Sequence, residues 1–446
     1  MSKNIKESAR YLALELLLKI HRQKTYSNIG LNQILKKYSL LPQDERLLTN
    51  LVYGVLQHRM TLEYWLEPFI KEAKQVDDWV YELLLLAIYQ LKYLDKIPMH
   101  AIFNETIEIS KIKGHGGTRK FVTGILHAIQ RKGLRNFNDL PFQKRLSIEY
   151  SVPVWIVKAL INATGEEKTA KMLAVINDKP HDSLRTNIAK IDRDALQLKL
   201  VKEKINTIKS PITVEGLIAE KGFLAGTPAF KQGDFIIQDE SAILVEESMG
   251  VKPGQQILDA CSAPGCKTTQ IAAVLHHQGQ VMALDIHENK LRLVRKNAKR
   301  LGVADVIKTQ ALDARKVNEE FKANTFDQIL VDAPCSGIGL IRRKPEIKYE
   351  KTLQDSLNLA KVQLAILDSV AVCLKHGGKL TYSTCTILNT ENQTVIDRFL
   401  KIHPEFKQVK TITTKNLKSQ RQELGLTIYP DDYGSDGFFI ATLIKE

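Results

Sequence analysis

Apolar residues recur at helical spacing from residue 9 to residue 132. Two amphipathic faces are clear, one formed by Tyr11, Leu14, Leu17 and Leu18 and the other by Leu47, Leu51, Val55 and Leu56. The sequence therefore predicts an all-α N-terminal domain over residues 1–140, followed by a short linker.

The pattern changes twice after that point. Residues 150–240 mix helix-like segments with short strand-like runs and turn residues, which predicts a small α+β module. From residue 241 to residue 446, strand-like runs alternate with amphipathic helical stretches. The runs lie at 256–260, 280–285, 327–332 and 378–383, and Phe438–Ile444 is placed to add an edge strand. This alternation predicts a Rossmann-like α/β domain with a mainly parallel sheet.

The net charge of the sequence indicates a class of binding partner. The 446 residues include 64 Lys and Arg against 50 Asp and Glu, a formal net charge of +14, which favours nucleic acid as the partner over a merely soluble basic surface. Seven basic residues and no acidic one lie between Lys111 and Arg135, a candidate contact for a phosphate backbone.

The composition also excludes several classes. The longest apolar stretch, near Leu83–Leu91, is too short to span a bilayer, so no membrane partner is expected. Five cysteines are an odd and sparse count for this length, which predicts a reducing, cytoplasmic location. They include no C-x-x-C pair, so no structural metal site is expected.

The turn after the first predicted strand of the α/β domain is a candidate cofactor site. It reads DACSAPGCKT at 259–268 and matches neither a P-loop nor G-x-G-x-x-G. The second strand ends at Asp285, which could bond ribose hydroxyls, and Asp313 follows the third, within reach of an adenine. These features favour an adenosine ligand without a polyphosphate, such as S-adenosylmethionine. The alternative is an ordinary structural turn with surface carboxylates.

Two cysteines follow adjacent predicted strands on the same side of the sheet. Cys335 lies in DAPCSGIG at 332–339, and Cys385 lies in YSTCTI at 382–387. Methylation at carbon 5 of a pyrimidine would use such a pair, because a thiolate added to carbon 6 makes carbon 5 nucleophilic and a second group assists release. Asp332 is placed to bond the base edge, and a helix beginning near Asn389 would offer its partly positive end to the thiol.

With these motifs, the chain resembles the RNA cytosine-5 methyltransferases of the NOL/NOP/Sun type. The resemblance is carried by the two cysteine motifs, by DACSAPGCKT and by LDARK at 312–316. QDESA at 238–242, IRRKPEIKY at 341–349 and DGFF at 436–439 support it. The N-terminal helices are similar to the RNA-binding antitermination factor NusB, which points to the bacterial 16S ribosomal RNA members of the family.

The resemblance implies a role for each matching residue. Cys385 would be the nucleophile and Cys335 the group needed for product release, with Asp332 and Lys267 at the junction of cofactor and target base. The implied S-adenosylmethionine site comprises Ala260, Cys261, Ser262, Ala263, Pro264, Gly265, Cys266, Lys267, Asp285, Asp313 and Asp332.

Two positions depart from the family pattern. Cys266 replaces a usual Gly, and it would cost about 1–2 kcal/mol if that position needs a positive φ. We expect instead that Cys266 occupies the first turn of the following helix, where the cost is small. Lys344 replaces a common His, which leaves the substrate contacts of that segment open.

The expected function is therefore transfer of a methyl group to carbon 5 of a cytidine in 16S ribosomal RNA by a monomeric enzyme, with the target base turned out of its stack. The NusB-like helices and the middle module would hold the RNA. Two alternatives remain: a methyltransferase that acts on tRNA or another RNA, and a non-catalytic RNA-binding factor of ribosome assembly. A DNA target is not expected.

Overall fold

The computed structural model describes residues 5–23, 26–70 and 76–446. These residues pack as two units. The first contains the chain up to Asn177 together with Ile341–Glu350, and the second contains Asp178–Leu340 and Lys351–Glu446. The predicted middle module of residues 150–240 is divided between them, so the three-domain boundaries remain a prediction.

The first unit is helical. Its helices are α1 (Ala9–Gln23), α2 (Ser27–Lys37), α3 (Pro42–Gln57), α4 (Arg59–Leu66), α5 (Asp78–Tyr93), α6 (Met99–Lys113), α7 (Gly116–Lys132), α8 (Phe142–Glu149), α9 (Val154–Val175) and, in chain order, α16 (Ile347–Glu350). Residues 1–4, 24–25 and 71–75 of the predicted helical domain lie outside the described residues. The apolar stretch near Leu83–Leu91 is explained by α5, whose residues Leu83–Gln90 are all buried, so this helix is the centre of the core.

The segment Ile341–Glu350 belongs to this unit through buried polar contacts. The Lys348 ammonium donates to the Gln57 backbone oxygen at 2.7 Å, and burial lowers the pKa of Lys348 to about 7. The buried Glu346 carboxylate accepts hydrogen bonds from the backbone nitrogen and the hydroxyl of Ser27 at 3.1 and 3.0 Å. The family-like motif IRRKPEIKY is therefore fixed among helices.

The basic run from Lys111 to Arg135 extends from the end of α6 to just beyond α7, and some of its positive charges are paired with carboxylates. Carboxylates distant in sequence pair with two of its members, Glu15 with Lys113 at 2.7 Å and Glu67 with Arg135. Lys111 also lies 3.6 Å from the carboxylate of a neighbour three residues earlier. The exposed remainder of the run lies on α7: Arg119, Lys120, Arg131 and Lys132.

The second unit contains two sheets. Its strands are β1 (Asp182–Thr186), β2 (Thr207–Lys209), β3 (Gly216–Ala219), β4 (Phe235–Ile237), β5 (Gln256–Asp259), β6 (Gln280–Asp285), β7 (Ile307–Ala311), β8 (Phe326–Asp332), β9 (Leu374–Thr384), β10 (Phe406–Val409), β11 (Leu426–Ile428) and β12 (Phe438–Lys445). Its helices are α10 (Arg193–Lys202), α11 (Pro228–Gln232), α12 (Glu240–Met249), α13 (Cys266–Val274), α14 (Glu288–Leu301), α15 (Val317–Glu320), α17 (Leu353–Ala371), α18 (Gln393–Ile402) and α19 (Pro430–Tyr433).

The larger sheet confirms the predicted fold class. Its order is β10-β12-β9-β8-β5-β6-β7, and the five strands from β9 to β7 in this order pair in parallel. The chain leaves β5 toward β6 on one side and returns to β8 on the other, which makes the carboxyl end of β5 a topological switch point. Ligands bind at such points in open α/β sheets.

The expectation that Phe438–Ile444 forms an edge strand is wrong. These residues form most of β12, which lies between β9 and β10 and pairs antiparallel with both. Nearly every residue of β12 is buried, as expected of an interior strand covered on both faces.

A smaller antiparallel sheet has the order β2-β3-β1-β4, and its strand β1 contacts α13 of the larger α/β layer. The contact depends on Arg185, a β1 residue whose side chain is almost completely buried. Its guanidinium donates to Gln238 at 2.7 Å and to the backbone oxygen of Cys266 at 2.6 Å.

Two buried carboxyl groups lie near this arginine. Burial raises the pKa of Glu215 to about 7, and burial together with the nearby Glu215 charge raises the pKa of Glu246 to about 8. Because both values lie above the ordinary 4.5, the folded protein holds protons that the unfolded chain has released. The resulting stability is fully present below pH 4.5 and is lost as the pH rises through about 8.

We predict that Glu246→Gln reduces this pH dependence. The neutral amide removes a slope of up to about 1.4 kcal/mol per pH unit from the free energy of unfolding between pH 6 and 8. Urea unfolding at several pH values measures the slope, and the exposed Glu220→Gln is the control that leaves it unchanged. Equal slopes in wild type and Glu246→Gln would contradict the prediction.

None of the helices within the described ranges has both the length and the apolar character that crossing a membrane requires.

Candidate active site at the carboxyl edge of the large sheet

Four carboxylates converge at the carboxyl edge of the parallel strands. Asp259 and Asp285 end β5 and β6, Asp332 ends β8, and Asp313 follows β7 by two residues. Burial and, after it, the charges of all four raise the pKa of the Cys261 thiol far above its ordinary value. This thiol therefore lies in an electronegative hollow, which suits a cationic ligand.

The turn before α13 brings the backbone close to this hollow. Gly265 has φ +99°, and a Cβ added to it would lie 3.1 Å from the Val294 Cα atom. Glycine is therefore required at this position by both conformation and space. Cys266 is the first residue of α13 and lacks a positive φ, so the milder expectation for this departure from the family pattern is confirmed.

Two buried polar atoms at the end of β5 and in this turn lack a hydrogen-bond partner within the described part of the chain. Neither Asp259 Oδ1 nor Ser262 Oγ has a hydrogen-bond partner among the described residues, although the other Asp259 oxygen accepts from Thr268 at 2.7 Å. Burial raises the pKa of Asp259 to about 7. Unpaired buried polar atoms are costly, so the turn fits a polar ligand such as a nucleoside with an amino-acid tail.

Asp285 and Asp313 differ in how many hydrogen bonds their carboxylate oxygens already accept. Asp285 accepts one backbone hydrogen bond at 2.8 Å, from His287, and the side chain of the intervening Ile286 is exposed. Asp313 is engaged by the backbone and guanidinium nitrogens of Arg315, whose hydrogen bond lowers the pKa of Asp313. The position of Asp285 suits the ribose contact predicted for it, whereas the adenine contact of Asp313 remains a prediction.

Lys267 and Asp332 form a partly buried ion pair. The Lys267 Nζ atom lies 2.7 Å from Asp332 Oδ2, and Asp332 Oδ1 accepts from the Ser383 hydroxyl at 2.7 Å. Burial alone would lower the pKa of Lys267, but the charge and hydrogen bond of Asp332 outweigh it and raise the value. The Cys385 sulfur raises it further. Lys267 is thus a fixed positive charge within electrostatic reach of that sulfur.

The two candidate cysteines lie side by side. Parallel pairing of β8 with β9 sets Asp332 opposite Ser383, and the loops that follow bring the Cys335 and Cys385 sulfur atoms to 3.3 Å. Both are free cysteines and partly buried. The hydrogen bond with Cys385, followed by burial, raises the pKa of Cys335 far above its ordinary value. Cys335 is therefore a neutral thiol at ordinary pH.

Sequence reasoning missed the buried carboxylate that holds the Cys335 loop. Glu391 accepts from the Ser336 backbone nitrogen at 2.8 Å, from Ser356 at 2.8 Å and from Gln363 at 3.2 Å. The predicted helix start near Asn389 is wrong, because residues Asn389–Glu391 form a 3-10 turn and α18 begins later, at Gln393. No local signal marks this role, since the partners of Glu391 lie 28–55 residues away.

Within the described ranges, no group of three or more His, Cys, Asp and Glu side chains is arranged to hold a metal ion.

Comparison with known proteins accounts for most of the chain. Three family models match it: 16S rRNA methyltransferase RsmB/F over residues 248–444, the NusB family over residues 7–131, and an RsmF/B-like ferredoxin-like domain over residues 152–223. A curated relative from Bacillus subtilis (strain 168), the probable ribosomal RNA small subunit methyltransferase B, is 42% identical over 445 residues, which cover 99% of each chain.

Two solved structures share the fold at 24% sequence identity. The crystal structure of PH0851 matches with a TM-score of 0.82 and covers 100% of both chains. The structure of NSun6 from Pyrococcus horikoshii with SFG matches with a TM-score of 0.58 and covers 66% of this chain and 98% of the other.

We predict that Gly265→Ala weakens the binding of S-adenosylmethionine at least tenfold and destabilises the fold by about 1–2 kcal/mol, because a Cβ is disfavoured at this φ and crowds Val294. Calorimetric titration and urea unfolding measure the two effects. Gly254→Ala is the matched control, since its φ is +89° but a Cβ there meets nothing within 4 Å. It should carry the conformational cost and leave the affinity unchanged. Wild-type affinity in Gly265→Ala would contradict the prediction.

Proposed function

Because the chain belongs to the RsmB/F family of 16S rRNA methyltransferases, we propose that it transfers a methyl group from S-adenosylmethionine to carbon 5 of a cytidine in 16S ribosomal RNA. Family membership confirms the resemblance to ribosomal RNA methyltransferases with a NusB-like front region. S-adenosylmethionine is the methyl donor of this family, and its positive sulfonium suits the four carboxylates around Cys261.

The observation that carries the cytosine-5 proposal is the sulfur pair. Two free cysteines lie 3.3 Å apart, and the hydrogen bond between them raises the pKa of Cys335. Two adjacent sulfur atoms support one nucleophile and one proton carrier. A methyltransferase that attacks an exocyclic nitrogen or a ribose hydroxyl has no need of such a pair.

In the first step, the Cys385 thiolate forms a bond to carbon 6 of the flipped cytosine, and the electrons of the 5,6 double bond move into the ring. The Lys267 ammonium lies within electrostatic reach of that sulfur. The Asp332 carboxylate, held by Lys267 and Ser383, is oriented to hydrogen-bond the base edge and to steady the charge that develops there.

S-adenosylmethionine, held by the turn before α13, would supply the methyl group to carbon 5, and its sulfonium–methyl bond would break with release of S-adenosylhomocysteine. The carbon 5 proton must then leave. The main cause of the raised Cys335 pKa is its hydrogen bond to Cys385, and that cause disappears once Cys385 is bonded to carbon 6. Burial and the Glu391 charge still raise its pKa at that stage, so Cys335 must release its proton to solvent before its thiolate accepts the proton from carbon 5. The double bond re-forms, and the sulfur–carbon 6 bond breaks with its electron pair returning to Cys385.

We predict that Cys385→Ala abolishes methyl transfer, because no nucleophile remains for carbon 6, while the affinity for RNA is retained. Transfer of labelled methyl groups to ribosomal RNA measures the first effect, and a filter-binding assay measures the second. Cys373→Ala is the matched control, since Cys373 is buried away from the pocket and donates to Phe321. Full activity in Cys385→Ala would refute the assignment.

We predict that Cys335→Ala accumulates a protein–RNA adduct that resists denaturant, because the covalent intermediate forms but loses its base for release. Denaturing gel electrophoresis after incubation with RNA and S-adenosylmethionine detects the adduct. The double variant Cys335→Ala/Cys385→Ala should form none. Clean turnover without an adduct in Cys335→Ala would remove the release role.

The kind of RNA that the protein methylates is tested by comparing different RNAs as substrates. The NusB family match over residues 7–131 supports ribosomal RNA over transfer RNA. Methylation of RNA from 30S subunits, with total tRNA unmodified, is the expected result, and bisulfite mapping would identify the cytidine. Preferential methylation of tRNA would support the alternative substrate, and failure to bind S-adenosylmethionine would support a non-catalytic assembly factor.

A further inference from the structure

One polar contact between the small sheet and the α/β layer ends at the cofactor turn. Arg185 lies on β1 and is almost completely buried. One guanidinium nitrogen donates to the Cys266 backbone oxygen at 2.6 Å, and the other donates to Thr269 Oγ1 at 3.2 Å. Both acceptors belong to the first turn of α13.

A second hydrogen bond carries this contact to the glycine of the turn. The Thr269 hydroxyl donates to the Gly265 backbone oxygen at 2.7 Å. Arg185 is thus one residue removed from the Gly265 carbonyl and directly bonded to the carbonyl of Cys266. The next residue, Lys267, extends to Asp332 at 2.7 Å. The Arg185 guanidinium therefore supports both the cofactor turn and the backbone next to Lys267, which pairs with Asp332.

Stability alone is a poor explanation for this arginine. Taking a guanidinium out of water is expensive, and burial lowers the pKa of Arg185 despite the nearby Glu215 and Glu246. It also adds a positive charge near the positive end of α13, where a cation is disfavoured. Apolar packing would join the sheet and the helix at a smaller cost, but it could not orient two acceptors one turn apart.

We propose that Arg185 is a positioning residue for methyl transfer. It fixes the first turn of α13 so that Gly265 keeps its conformation beside the donor and Lys267 reaches Asp332. This inference rests on the proposed function, and it makes the small sheet part of the donor-binding machinery in addition to its expected role toward RNA. The planar fork is the essential feature, because a lysine supplies the charge but cannot serve both acceptors.

Arg185→Lys and Thr269→Val test the proposal in the full-length protein. We expect Arg185→Lys to weaken the binding of S-adenosylmethionine about 10- to 100-fold, the range that corresponds to losing one hydrogen bond of a charged group. KM for the donor should rise, while KM for RNA stays within twofold of wild type. Thr269→Val keeps the arginine and the backbone hydrogen bond from residue 269 to the Gly265 oxygen, but it removes the hydroxyl that joins Arg185 to that oxygen. It should weaken donor binding in the same direction, and it covers the case in which Arg185→Lys does not fold.

Arg300→Lys is the matched control. Arg300 also joins the small-sheet region to the α/β layer, through the Phe230 and Phe235 backbone oxygens at 2.6 and 3.0 Å, but it donates no hydrogen bond to α13. A purely structural role for Arg185 predicts equal losses of thermal stability and of donor affinity in the two variants. The positioning role predicts that Arg300→Lys lowers stability with wild-type donor affinity.

Donor affinity measured by calorimetry without RNA separates this proposal from the proposed function. Loss of affinity in Arg185→Lys supports the positioning role even if the methylated atom proves not to be carbon 5. Donor affinity within twofold of wild type in folded Arg185→Lys and Thr269→Val, or an equal loss in Arg300→Lys, would overturn it.

Discussion

The parallel register of β8 and β9 is the constraint on which the site depends. With Asp332 opposite Ser383, each strand ends at the same level, and the loops that follow need only a few residues to bring two sulfur atoms to 3.3 Å. A shift of one residue would turn alternate side chains to the other face of the sheet. It would break the Ser383–Asp332 hydrogen bond and separate the thiols.

Near β8 and β9, buried polar groups fix the charges of the site in surroundings of low dielectric constant. Four carboxylates make the donor hollow electronegative, Lys267 places one positive charge between that hollow and the cysteines, and Glu391 holds the Cys335 loop. Each charged group has a partner that fixes its orientation, so little reorganisation is needed when charge develops on the substrate. The raised pKa of Cys335 follows from the same arrangement, because its hydrogen bond with Cys385 and its burial both favour the neutral thiol.

Local pattern predicted most of the fold. The alternation of apolar runs and amphipathic stretches indicated the α/β domain, because periods of two and 3.6 residues report which face is buried. The local pattern gave the wrong position for β12. An interior strand differs from an edge strand in having a second neighbouring strand, and that neighbour, β10, is distant in sequence. The helix predicted near Asn389 failed because tertiary hydrogen bonds of Glu391 hold a 3-10 turn there.

The sequence by itself determined which residues could carry the chemistry: the two cysteine motifs, the glycine turn and the acidic strand ends are all visible as residue types at fixed spacing. Only the tertiary structure decided the distance between the sulfurs, the raised pKa of Cys335, and the support of the cofactor turn by Arg185. The physical reason is that these properties depend on burial and on partners 50–85 residues away, and sequence spacing reports neither.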